Sequence, residues 1–242
     1  MNASLWYVAY ALLAVFVVSN VAALALGTPN PTRTRRALPW LQRSTSLQLA
    51  LLAWVFALAG RDTALAPWTL GIAIGMSVSF VADLIMAQMI RLPNHVLGGM
   101  VVFALAHTAY LWAYVQLGQR LGLLRAPAVI LSLVVFWALG LVLWRRLVYT
   151  PTAPAALTYG ALGYMLFLAA MTAVAVALTL AEPRLWTLGP GAVLFLVSDA
   201  ILGNQLFRKH EWPYVSEAVW LTYIIGQAGI VWANGLALPL LG

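Results

Sequence analysis

Residues 186–207 read WTLGPGAVLFLVSDAILGNQLF, an apolar run of 22 residues. At about 1.5 Å per residue, a helix of this length crosses a hydrocarbon core of about 30 Å. Its apolar residues run continuously instead of alternating, which argues against a membrane-spanning β-barrel. Its one charge is Asp199. Comparable stretches occupy 5–27, 41–60, 67–90, 95–117, 126–144, 155–180 and 214–240. Pro39, Gln42, Arg43 and Gln48 blur the start of the second. Pro127, Pro154 and Pro190 lie near span starts, where a missing amide hydrogen costs little. The expectation is an all-α, polytopic membrane bundle of about eight helices, forming a single integral membrane domain over residues 1–242.

Composition supports this reading and narrows the function. Only 8% of the 242 residues are charged, while 64% are hydrophobic, a balance that no soluble core of this size requires. There is no cysteine, which excludes disulfides, thiol chemistry and thiolate metal sites. The first apolar stretch lacks a basic leader and is longer than a signal-peptide core, so it reads as a retained helix. The net charge of +7 does not indicate nucleic acid, because nearly all the basic residues fall in short connections. The first, third, fifth and seventh connections hold Arg33, Arg35, Arg36, Arg43, Arg91, Arg145, Arg146, Arg208 and Lys209. The other three hold Arg61, Arg120, Arg125 and Arg184. That bias makes the odd-numbered connections cytoplasmic and both termini extracytoplasmic. The expected location is a plasma or inner membrane. The sequence assigns no oligomeric state.

Against this background, Asp83 and Asp199 stand out. A carboxylate inside a membrane segment is costly unless it faces a partner or a polar cavity, so each marks either a functional site or a structural tie between helices. Asp83 lies seven residues before Ile90, and Asp199 lies eight before Phe207. If those residues end their helices, both carboxylates sit roughly 10–12 Å in from the cytoplasmic ends. His107, midway along the fourth span, either exchanges a proton or bonds a carbonyl in helix packing. Tyr110 and Tyr114 share its helical face by spacing. In the eighth span Thr222, Tyr223 and Gln227 can hold a headgroup or a water, or serve as interhelical ties. Ser79 falls one turn before Asp83, and Ser198 directly precedes Asp199. Asp62, Glu182 and Glu211 read as solvated charges in connections, and Glu217 as either a cavity-mouth or a packing residue.

The segments around the two aspartates echo each other weakly. Ser79-Phe80-Val81-Ala82-Asp83-Leu84-Ile85 and Leu196-Val197-Ser198-Asp199-Ala200-Ile201-Leu202 each precede a short basic connection and a span with a polar and tyrosine cluster. An offset of four spans would make this a parallel four-plus-four repeat.

The same residues resemble the YhhN/TMEM86 family of multi-span membrane proteins, whose characterised members include lysoplasmalogenases. Gly191 to Leu202, containing Leu194-Phe195-Leu196-Val197-Ser198-Asp199, is similar to the family's LF-x-x-SD segment. Leu221-Thr222-Tyr223-Ile224-Ile225-Gly226-Gln227 is similar to its LTY-x-x-AQ helix. Phe80 to Met86 resembles the GD-x-x-L segment, and Phe103 to Tyr110 the F-x-x-GH-x-x-Y helix. Ala82 and Ala106 replace glycines of that pattern, Gly226 replaces an alanine and Ile224 a second tyrosine. Residues 31–43 match the early KP region only loosely.

The resemblance implies hydrolysis of the vinyl ether in a lysoplasmalogen, releasing a fatty aldehyde and a glycerophospho-ethanolamine or -choline. The reaction needs a proton delivered to the alkene carbon and water added to the carbon bearing oxygen. Two carboxyl groups suit those tasks, one as acid and one to stabilise positive charge or position water, by the logic of two-carboxylate glycoside hydrolysis. Asp83 and Asp199 are therefore the expected acid/base pair, with neither role assigned. His107 joins them as the third catalytic candidate. Ser79, Tyr110, Ser198, Thr222, Tyr223 and Gln227 are expected to orient substrate, water or a carboxylate. A membrane lipid is the expected partner, and neither a cofactor nor a metal is required. The alternative is a proton- or cation-coupled transporter or a lipid-binding membrane protein. No Gly-x-Ser-x-Gly elbow is present, which weakens a serine-hydrolase reading. The single lysine, Lys209, lies in a connection, so no buried amine exists for a retinal Schiff base.

Overall fold

The computed structural model describes residues 3–151 and 153–241, with side chains for all but the two terminal ones. These residues form eight α-helices: α1 (Ala3–Ala25), α2 (Pro39–Gly60), α3 (Ala66–Met86), α4 (His95–Arg120), α5 (Ala126–Leu143), α6 (Ala155–Ala181), α7 (Leu188–Arg208) and α8 (Val215–Ala237). A π-helical turn, Trp144–Val148, extends α5, and a short 3₁₀ turn, Leu238–Leu241, follows α8. All eight helices are long and apolar enough to cross a membrane. The blurred second span is a full helix that begins at Pro39, with the ring at a position that needs no amide hydrogen. Asn94 caps α4 by accepting the amide hydrogen of Leu97 at 3.0 Å.

One boundary departs from the sequence expectation. The third span does not run to residue 90, because α3 stops at Met86 and the chain turns with Gln88 at φ 57°. The terminal carbonyls are met by tight returns, Ala87 N to Asp83 O at 2.8 Å and Met89 N to Leu84 O at 2.9 Å. Asp83 thus lies in the last turn of its helix, while Asp199 lies more than two turns inside α7, which ends at Arg208 and is followed by Lys209 at φ 55°. Equal distance from the helix ends was the wrong measure. Apolar Met89 and Ile90 lengthened the hydropathy run although the backbone had already left the helix.

The helices pack as neighbours in a pattern that recurs after four. α1 lies on α2 as α5 lies on α6, α2 on α3 as α6 on α7, and α3 on α4 as α7 on α8. α2 meets α8 as α6 meets α4. α7 and α8 approach closely, so that a Cβ added at Gly226 would stand 2.7 Å from the carbonyl oxygen of Gly191. α5 packs on α6 but is otherwise little covered, with 6% of its apolar window buried inside the protein.

The odd-numbered connections, which carry most of the arginines, gather at one end. Tyr214 N and Ser216 N donate to Arg33 O and Thr34 O at 2.8 and 3.1 Å, tying the first connection to the seventh. Glu217 belongs to the same tie, since its Oε1 accepts the amide hydrogens of Arg36 and, at 2.7 Å, of Ala37. That assigns it the packing role. Thr150 Oγ1 reaches Phe207 O at 3.4 Å, and Arg208 donates to Arg146 O, which joins the fifth connection to the end of α7. Asp62 pairs with Arg61 and Glu182 with Arg184, as expected of charges in connections.

Candidate functional site

A cavity of about 360 Å³ opens at the arginine-bearing end among α2, α3, α4, α7 and α8. Asp83 and Asp199 both line it, so the two carboxylates share one polar space. Its outer wall carries Arg35, Gln42, Arg43, His95 and Gln205, and its depth carries Ser46, Ser198, Tyr223 and Phe103. Arg35 and Arg43 are exposed at the mouth, whereas both aspartates are half-buried.

Each carboxylate is held by hydroxyl groups from other helices, and the two settings differ. Tyr223 of α8 donates to Asp83 Oδ2 at 2.9 Å, and Ser46 of α2 lies beside the same carboxylate. Behind Tyr223, Gln227 Nε2 points at the Tyr223 oxygen at 3.4 Å and donates to Ser79 Oγ at 3.2 Å. Gln227 Oε1 accepts from Tyr110 Oη at 2.8 Å. Because an amide N–H can only donate, the Tyr223 hydroxyl hydrogen is directed at Asp83. This branch is a fixed set of donors aimed at one carboxylate.

Asp199 is served by Tyr164 of α6, whose hydroxyl donates to Oδ2. The Tyr164 oxygen in turn meets His107 Nε2 of α4 at 3.2 Å. His107 is fully buried, with its ring edge-to-face against Phe195 at 5.1 Å and stacked on Phe103. While Tyr164 gives its single proton to Asp199, His107 Nε2 must carry the hydrogen toward the phenol oxygen. If Asp199 holds the proton instead, both bonds reverse and His107 Nε2 becomes the acceptor. This branch can run in either direction, which the Asp83 branch cannot. His107 Nδ1 has no partner among the described residues.

Of the residues singled out by sequence, Asp83, Ser79, Tyr110, Tyr223 and Gln227 are brought into one hydrogen-bonded group, and Asp199 and His107 into another through Tyr164. Ser198 lines the cavity but donates to Val219 O at 2.8 Å, which ties α7 to α8. Thr222 is not joined to either group. Its hydroxyl returns to Ala218 O and Val219 O of its own helix, at 2.6 and 3.1 Å. Tyr114 joins neither group by a hydrogen bond, but its ring stacks on Tyr110 at 6.4 Å and tilts against Trp68 at 5.7 Å. Among the described residues no three His, Asp or Glu side chains converge as a metal-ligand set.

The sequence reading missed Tyr164 and Ser46. Each sits on the helix preceding an aspartate-bearing helix, α6 before α7 and α2 before α3. The four-span echo was the signal that could have found them, because it predicts that whatever α6 offers to Asp199, α2 offers to Asp83.

Fold and site together define an integral membrane protein of eight helices with a paired-carboxylate cavity near one end of the bundle. The chain matches the YhhN family over residues 40–234 and belongs to it. That span begins with α2 and ends in α8, and it contains every residue of both hydrogen-bonded groups. Neither a search of curated proteins nor one of solved structures found a match.

Proposed function

We infer that this protein is a membrane-embedded hydrolase that cleaves the vinyl ether bond of a lysoplasmalogen, giving a fatty aldehyde and a glycerophospho-ethanolamine or -choline. The observation that carries this reading is the convergence of Asp83 and Asp199 on one cavity, each oriented by a tyrosine from another helix. Two oriented carboxyl groups suit a reaction that needs one proton donor and one group to steady positive charge and guide water. The cavity volume is within the range of small-molecule sites. Arg35 and Arg43 at its mouth match the phosphate of a lysophospholipid headgroup. The mouth lies at the end that the excess of basic residues makes cytoplasmic, so substrate enters from the inner leaflet.

The test is aldehyde release from 1-alkenyl-glycerophosphoethanolamine by the purified protein in detergent. Asp83→Asn and Asp199→Asn, each matched to wild type for monodisperse folding, are expected to lose activity by at least about 100-fold, the scale of removing a general acid or base. Full activity in both would end the assignment. Proton-driven uptake of a solute without aldehyde production would instead favour a transporter.

A further inference from the structure

A second cavity, narrow and about 50 Å³ in volume, adjoins the first between α4, α6 and α7. Asp199 lines both, whereas Asp83 lines only the polar one. The far wall of the narrow branch is apolar, built from Val96, Met100, Val148, Ala161 and Met165. Tyr164 also lines it, so the reversible branch of the hydrogen-bond network opens on apolar space. Arg35 and Arg43 line only the wider cavity, at its mouth, and not the narrow branch.

We propose that the narrow branch takes the first carbons of the alkenyl chain, and that this orientation makes Asp199 the proton donor and Asp83 the group that guides water. The inference rests on the vinyl ether reading. A single-chain lysophospholipid has a phosphate at one end and a hydrocarbon at the other, and only one orientation matches both poles of this site. With phosphate toward Arg35 and Arg43, the vinyl ether lies between the aspartates. The alkene carbon remote from oxygen then points into the branch, on the Asp199 side.

The hydrogen-bond geometry agrees with this division of labour. Asp83 faces a tyrosine hydrogen that Gln227 holds in place, which suits a carboxylate that keeps its charge. Asp199 sits on a tyrosine–histidine line that can reverse, which suits a group that gives and regains a proton. In the first step the Asp199 O–H bond breaks and the alkene electron pair forms a C–H bond at the remote carbon. The resulting oxocarbenium carbon takes water, whose proton passes to Asp83. The hemiacetal then collapses: its hydroxyl proton returns to Asp199, the carbon–oxygen bond to glycerol breaks, and the glycerol oxygen takes the proton from Asp83. Both carboxyl groups end as they began.

Two measurements test this. The first compares alkenyl-glycerophosphoethanolamines with 4-, 10- and 16-carbon chains on wild type, Met100→Trp and Met100→Ala. Met100→Trp is expected to lower kcat/KM for the 16-carbon substrate relative to the 4-carbon one by at least about tenfold, and Met100→Ala to shift preference the other way. An unaltered chain-length profile in both variants overturns the branch assignment. Absence of cleavage at every length by wild type overturns the vinyl ether reading itself, so the two failures are distinguishable. The second measurement runs the reaction in deuterium oxide and determines the configuration of the 2-deuterated aldehyde. Asp83→Asn is expected to keep one configuration at reduced rate, while Asp199→Asn gives either no product or product of mixed configuration. Stereospecific product from Asp199→Asn, or mixed product from Asp83→Asn, overturns the assignment of the donor.

Discussion

Tyr223 on α8 donates its hydroxyl hydrogen to Asp83 on α3 across 2.9 Å, and Gln227, one turn further along α8, is aimed at the same phenol oxygen. Two helices distant in sequence are joined at a carboxylate that lies in the last turn of α3. The contact gives that turn a partner inside the bundle, although the helix ends four residues sooner than its apolar run.

Removing the phenol oxygen should therefore cost function more than fold. Tyr223→Phe deletes a hydrogen bond to a carboxyl group, worth about 1.5–3 kcal/mol when the acceptor is charged. That corresponds to a fall of roughly 10- to 100-fold in kcat/KM for aldehyde release. Wild-type kinetics in a well-folded Tyr223→Phe protein would show that Asp83 needs no orientation.

Tyr164 and His107 should behave as one unit. Either Tyr164→Phe or His107→Phe breaks the line that ends at Asp199, so the second change has little left to remove. A double-mutant cycle on kcat/KM is expected to give a coupling of about 0.5–3 kcal/mol. Simple additivity would mean that His107 only packs among Phe103, Phe195 and Tyr164.

Gly226 stands where the resembling pattern has alanine. Here the two helices have closed onto the glycine. In Gly226→Ala the new Cβ would meet Gly191 O at 2.7 Å and Phe195 N at 2.9 Å, both backbone atoms that cannot step aside. Overpacking of this kind costs about 1–3 kcal/mol, read as a lower midpoint of thermal unfolding in detergent. Gly160→Ala, with nothing within 4 Å of the new Cβ, is the control and should stay within about 0.5 kcal/mol of wild type.

Glu217 should matter to stability and little to chemistry. Glu217→Ala leaves the amides of Arg36 and Ala37 without their acceptor, at a cost of about 1–3 kcal/mol for a buried unsatisfied group. Glu217→Gln keeps an oxygen toward both amides and should recover most of that loss. Thermal unfolding separates the two variants, and equal destabilisation by both would mean that the negative charge, not the acceptor, holds the connection.

Much of this architecture is legible in the chain. The span pattern follows from hydropathy, because each segment must be apolar along its own length, whatever its neighbours do. Asp83 and Asp199 were conspicuous for the same reason: an intramembrane carboxylate stands out residue by residue. The end of α3 was misread because Met89 and Ile90 are as apolar as a helix residue yet follow a left-handed turn at Gln88. Tyr164 was overlooked because a tyrosine in a span is unremarkable until its hydroxyl is seen to bridge Asp199 and His107. Thr222 was overvalued because spacing placed it near Tyr223, while its hydroxyl bonds the carbonyls of its own helix.

By itself, the sequence determined the span pattern, the basic end and the two charges that membrane burial makes expensive. Tertiary structure decided which side chains meet those charges. It placed Tyr223 and Ser46 with Asp83, Tyr164 and His107 with Asp199, and opened an apolar branch beside only one of them. The physical reason is that hydropathy is a local property of each segment. Contact depends instead on how each helix is rotated about its axis and how closely glycines let its neighbours approach, and those are fixed only when all eight helices pack together.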